Sequence, residues 1–155
     1  MSKKIALFTV LFLVGSFAVH LHSIEVGAIV GNISKPSRLN YGLSAGMGFL
    51  VPMVKFEIEV YRLANTEALE LPNAITGGVK FRPKFGKFAP YAVVGFGAEF
   101  KRIGLDFDEY ESFTFLGGGL HIFVTGMISI RGDVRFLSYS GYNRTRLSAG
   151  LFLHL

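Results

Sequence analysis

Residues 39–63, LNYGLSAGMGFLVPMVKFEIEVYRL, alternate with a period of two. Leu39, Tyr41, Leu43, Ala45, Met47, Phe49 and Val51 take the odd positions, with Asn40, Gly42, Ser44, Gly46, Gly48 and Leu50 between them. Beyond Pro52 the apolar set moves to Val54, Phe56, Ile58 and Val60, while Lys55, Glu57, Glu59 and Tyr61 point the other way. Side chains two apart share one face of a strand, so this stretch predicts a hairpin with one apolar and one polar face. A two-residue turn at Pro52–Met53 pairs Val51 with Val54, Phe49 with Phe56 and Met47 with Ile58, and proline suits the first corner.

The same alternation recurs over 24–33, 74–84, 88–102, 111–123, 127–139 and 145–155, with Ile29 breaking it in the first of these. Polar loops are expected at 34–38, 64–73, 103–110 and 140–144. Tight turns are expected at 52–53, 83–87 and 124–126, the last with Gly126 left-handed. Long and short connections therefore alternate around eight strands. Each strand is near the roughly 9–11 residues that cross a bilayer when tilted. Backbone groups in lipid must be paired internally, so such strands have to close on themselves. The expectation is an all-β fold, an eight-stranded antiparallel up-and-down transmembrane β-barrel, over residues 24–155.

Composition narrows the picture. The 155 residues suffice for one domain; half are hydrophobic, and there is no Trp and no Cys. The net charge of +5 raises the question of nucleic acid. The cations are dispersed and alternate with apolar residues, so no nucleic-acid partner is expected. Residues 1–23 open with Lys3 and Lys4, run apolar from Ile5 to Val14, and then turn to small residues. That is the layout of a secretory signal, with cleavage after Ala18 or after Ser23. The apolar run is short of the roughly 20 residues of a spanning helix.

These residues resemble the small eight-stranded outer-membrane barrels of the OmpA/OmpX type. PYAVVGFGAEF at 90–100, FLGGGLHIFVTGMISIRGDVRF at 115–136 and the last strand carry the likeness. Ser148, Gly150, Leu153 and Leu155 match the family's C-terminal assembly signal, with Leu155 where Phe is usual. The resemblance implies an outer-membrane location, outer-membrane lipid around the barrel and recognition by the barrel-assembly machinery during insertion. It also implies a plugged interior and a role in envelope structure or surface interaction.

With the apolar face toward lipid, the interior holds Lys55, Glu57, Glu59, Lys80, Arg82, Glu99, Lys101, Arg131, Asp133, Arg135 and Arg146, with His121 and His154. Unpaired charges there are costly, so Glu57 and Glu59 should face Lys80 and Arg82. Glu99 and Asp133 should serve Arg131, Arg135 or Lys101. A structural charge network is favoured over a conduit. His121, Ser129 and Asp133 invite a Ser-His-Asp reading, yet residue types alone are weak support for a triad. The chain lacks the His-x-Ser-Asn segment of lipid A deacylases, and its charged lumen lacks the apolar slot of a palmitoyltransferase. No catalytic residues, cofactor or metal site are assigned; of the four His, His20 and His22 fall within 1–23 and His121 and His154 stand far apart, so they make no ligand set. Gly117–Gly119 lack the strand-loop-helix setting of a phosphate cradle. Tyr41, Tyr61, Tyr91, Tyr110 and Tyr139 lie near strand ends and suit interfacial girdles. The alternatives are a narrow pore, a lipid A-modifying enzyme and a soluble lipocalin-like barrel with the faces reversed.

Overall fold

The computed structural model describes residues 21–49, 51–64, 73–100 and 110–155. Among them every element is a strand: β1 (Leu21–Ile33), β2 (Arg38–Phe49), β3 (Val51–Leu63), β4 (Ala74–Phe81), β5 (Phe88–Phe100), β6 (Tyr110–Phe123), β7 (Ile128–Tyr139) and β8 (Asn143–His154). Each strand pairs with its neighbour in sequence, and β1 pairs antiparallel with β8 from Glu25–His154 to Ile33–Arg146. The sheet is thus a closed eight-stranded barrel with no free edge. The seam extends to the last residue, where Ile24 and Leu155 exchange backbone hydrogen bonds of 3.0 and 2.8 Å.

The faces follow the alternation. Leu43, Phe56, Ile58, Val94, Leu116, Phe136 and Leu151 point outward and are exposed. The intervening residues point into the lumen and are buried, among them all the described charges of the predicted interior set. Ile29, the residue that broke the pattern, is a buried lumen residue at 3% exposure, as its parity with Glu25 and Gly27 requires. An apolar exterior around a charged interior is the inverse of a water-soluble barrel.

Three local expectations are corrected. The β2–β3 register pairs Met47 with Phe56 and Ala45 with Ile58, two residues away from the predicted pairing, with an irregularity between Gly48 and Phe49. A slip of two leaves every side chain on its own face, so hydrophobic pattern cannot detect it; only the connection decides. At the β6–β7 turn Gly126 does not take a positive φ; the residues that do, Lys35, Gly86 and Gly141, lie in other connections. That turn is closed instead by Thr125, whose hydroxyl accepts the amides of Met127 (3.2 Å) and Ile128 (3.0 Å). The side chain replaces the left-handed glycine as the device that satisfies the turn. β8 also starts earlier than expected, at Asn143, which brings Arg144 into the strand.

Candidate functional site: the barrel lumen

Glycine opposite charge is the local rule that builds the interior. Across the ladders Glu25 faces Gly46, Lys55 faces Gly48, Glu57 faces Gly46 and Gly78, Asp133 faces Gly119, Arg135 faces Gly117 and Arg131 faces Gly150. A Cβ on Gly119 would lie 2.8 Å from both Asp133 Cβ and Tyr91 Oη, and one on Gly46 would lie 2.8 Å from Glu25 Cγ. The missing side chains leave the room in which long charged ones fold over and meet.

Three layers result. In the middle, Glu57 binds Lys80 at 2.7 Å, Arg131 at 2.7 Å and Arg135 at 2.6 Å. Glu59 binds Arg131 at 2.6 Å, Arg135 at 2.8 Å and Arg146 at 2.5 Å. Asp133 binds Arg135 at 2.9 Å and accepts hydrogen bonds from Tyr91 (2.9 Å) and Ser148. Glu25 pairs with Lys80, with Arg82 at 2.8 Å and with Lys55 at 3.3 Å; Lys55 also donates to Ser23 Oγ at 2.6 Å.

At the end with the short turns, Ser129 Oγ lies 2.9 Å from His121 Nδ1 and 2.7 Å from His154 Nε2. One hydroxyl proton serves one imidazole, so the other ring must donate its N–H to the oxygen. His154 Nδ1 is 3.6 Å from Glu25 Oε2. Phe152 and Phe123 pack against these rings.

At the end with the long loops the lumen is mostly apolar, with Asn40 and Asn73 the buried polar residues beside Leu63. Ile33, Tyr61, Leu63, Ala74, Phe113, Leu137 and Tyr139 form one buried cluster, continued inward by Tyr91, Val93 and Phe115. Glu99 sits beside it, accepting from Tyr139 Oη at 2.7 Å and pairing with Arg144 at 3.2 Å.

The predicted set therefore converges, but with different pairings. Glu57–Lys80 is found as expected. Glu59 reaches across the lumen to β7 and β8 rather than to Lys80 or Arg82. Glu99 pairs with Arg144 rather than with Arg131 or Arg135; Lys101 lies outside the described residues. Glu25 and Arg144 were missed. Glu25 shares the parity of Gly27 and Gly31, the signal that marks it as inward; Arg144 falls in 140–144, a stretch whose polarity predicts a loop. Tyr61, Tyr91 and Tyr139 are lumen residues, not girdle residues; Tyr41 and Tyr110 do face outward. The three inward tyrosines have the parity of the interior charges, and that outranks their position near strand ends. The triad residues do not form one chain, because Asp133 is held by Tyr91, Arg135 and Ser148 while Ser129 lies between two histidines. Gly117–Gly119 lie within β6. Of the assembly-signal residues, Ser148 binds Asp133, Gly150 faces Arg131, and Leu153 and Leu155 point outward.

No family model and no curated protein matches the chain. Solved structures do. The N-terminal β-barrel domain of Pseudomonas aeruginosa OprF superposes with a TM-score of 0.69 at 14% identity, covering 88% of this chain and 99% of that one. De novo designed transmembrane β-barrels match with a TM-score of 0.59 at 13% identity, over 86% and 95% of the two chains. Neisserial surface protein A gives 0.56 at 16% identity, over 84% and 95%. At these identities the likeness is one of fold: this chain has the fold of the small eight-stranded outer-membrane barrels.

Proposed function

We propose that the chain is an outer-membrane barrel with a structural or surface-interaction role, its loops facing outward and its short turns facing the periplasm. The exposed apolar band supports a lipid surround, and the fold shared with OprF and Neisserial surface protein A supports the membrane. A leader within residues 1–23 delivers it, and the assembly machinery reads the last strand at Ser148, Gly150, Leu153 and Leu155. The observation that carries the role is the filled lumen: charges paired across the middle, an apolar cluster closing the loop end. An eight-stranded barrel is just wide enough for its own side chains, so this packing favours a scaffold over a conduit. The buried Ser129 with its histidines likewise favours a structural hydrogen-bond chain over an accessible nucleophile. Planar-bilayer recording tests it. Purified barrel should show no steady single-channel steps, and reproducible ion-selective steps would replace this reading with the narrow pore.

A further inference from the structure

Charge is spread unevenly along the lumen. Glu25 is the one side-chain carboxylate toward the short-turn end; the others belong to the middle layer or, by their place in the sequence, to the long loops and the strand ends beside them. The stretches at the short turns, LVPM at 50–53, PKFGK at 83–87 and VTGM at 124–127, contain no acid. Cations gather there instead. Lys55 and Arg82 both pair with Glu25 Oε2, at 3.3 and 2.8 Å, and His154 Nδ1 is 3.6 Å from the same oxygen. Lys84 Nζ lies 4.0 Å from the centroid of the Phe123 ring, and the Arg82 guanidinium carbon lies 5.7 Å from it. The His154 ring packs on Phe123 as well, with centroids 4.7 Å apart. Side chains from β3, from β8 and from the β4–β5 connection thus converge on one carboxylate and one phenyl ring.

Lys80 is shared with Glu57, so Lys55, Arg82 and Lys84 have the single charge of Glu25 between them, and two positive charges stay unbalanced among the described residues. Lys55 and Arg82 are buried, where charge without a partner is costly. Arg82 Nη1 is at ion-pair distance from Glu25 Oε2, yet neither atom makes a hydrogen bond, so the N–H groups of that nitrogen are not spent on Glu25. Lys84 is exposed, His154 partly exposed and Arg82 at 9% exposure, which leaves the group within reach from the turn side. We infer that this mouth of the lumen binds one small dianionic oxyanion of the phosphate class. Arg82 and Lys84 contact it, and Lys55 acts on it through charge alone. A phosphate group carries about two negative charges near neutral pH, matching the imbalance, whereas chloride or a carboxylate matches half of it. The planar fork of a guanidinium suits the oxygens of phosphate. A mouth of one sign with apolar walls also focuses its field on arriving anions. Free phosphate and a phosphorylated headgroup share this chemistry. The site does not depend on which way the barrel stands in the membrane.

The test uses the full barrel folded in detergent and titrated calorimetrically with inorganic phosphate at constant ionic strength. One site per barrel should saturate; sulfate should compete for it, and chloride should not. Lys84→Gln should weaken phosphate by roughly tenfold, and Arg82→Gln by more. Glu25→Gln removes the competing carboxylate and should tighten binding, the opposite sign from a loss of structure. Lys35→Gln, at the opposite end of the barrel, should leave it unchanged. Heat-modifiable gel mobility verifies that each variant is folded. Lys84 has no ion pair among the described residues, so Lys84→Gln decides the matter even where the Arg82 and Glu25 variants do not fold. Phosphate displaced by micelles carrying phosphatidylglycerol supports a headgroup as the natural source, and phosphate retained against them supports the free ion. No saturable binding, parental affinity in Lys84→Gln, or displacement by chloride at equal ionic strength would overturn the site.

Discussion

Glu59 holds three guanidinium groups with two oxygens: Arg131 and Arg135 on Oε1, Arg146 on Oε2. It is fully buried, while its neighbour Ile58 is half exposed on the opposite face. That contrast makes the pair a sharp probe of which side meets lipid. Glu59→Gln removes the charge and leaves three buried cations with one fewer counter-charge. Losing one partner of a buried ionic network costs about 3–5 kcal/mol. Arg146→Met in the Glu59→Gln background should recover part of this, since it removes a stranded cation. Ile58→Arg places a cation in the hydrocarbon and costs about 2–4 kcal/mol near the midplane. No lumen substitution should rescue it. Reversible unfolding in lipid vesicles measures these three variants and the parent. If Glu59→Gln and Ile58→Arg were both harmless, the assignment of faces would be wrong.

On the scale of the strand, the spacing of glycines explains how so many long side chains fit. Gly119 and Gly132 make the point, one facing in and the other out, on adjacent strands. A side chain on Gly119 meets Asp133 and Tyr91, whereas one on Gly132 has nothing within 4 Å. Gly119→Val should therefore overpack the lumen and cost about 1–3 kcal/mol. Gly132→Val should be neutral or slightly stabilising, since β-branched residues suit a strand. Equal effects in vesicle unfolding would mean that the glycines do not serve the lumen. The same elements show what the sequence could reveal. Parity exposed all eight strands and the inward set, including Lys55, Glu57 and Glu59, because period two fixes the face of every residue. Parity is blind to a slip of two, which is why the β2–β3 register was missed. It is also blind to distance across a lumen, which is why Glu59 was assigned to the next strand instead of to Arg131, Arg135 and Arg146. Partners across a barrel depend on shear and tilt, and no local pattern encodes them.

At the scale of the whole molecule, stability in a membrane depends on closure, because a barrel has to pair its first and last strands or leave a backbone edge in lipid. Here the closing seam depends on very few residues beyond Phe152. Leu153 pairs with both Val26 and Ile128, His154 N donates to Met127 O at 2.7 Å, and Leu155 exchanges two bonds with Ile24. Deleting Leu153–Leu155 removes these and also His154, which ties Ser129 to the lumen network. The truncated chain should lose heat-modifiable mobility after refolding in detergent and should accumulate in the periplasm in cells. Loss of the seam and loss of an assembly signal both predict the second result, so truncation alone does not separate them. Leu155→Ala does. It keeps the backbone pairing with Ile24 and removes only an outward side chain that is 65% exposed. If the terminal side chain is read by the assembly machinery, Leu155→Ala should refold in detergent like the parent yet reach the membrane poorly in cells, while Leu155→Phe should reach it at least as well as the parent. If Leu155→Ala reached the membrane at parental levels, the signal would not depend on that side chain, and the last residues would serve closure alone.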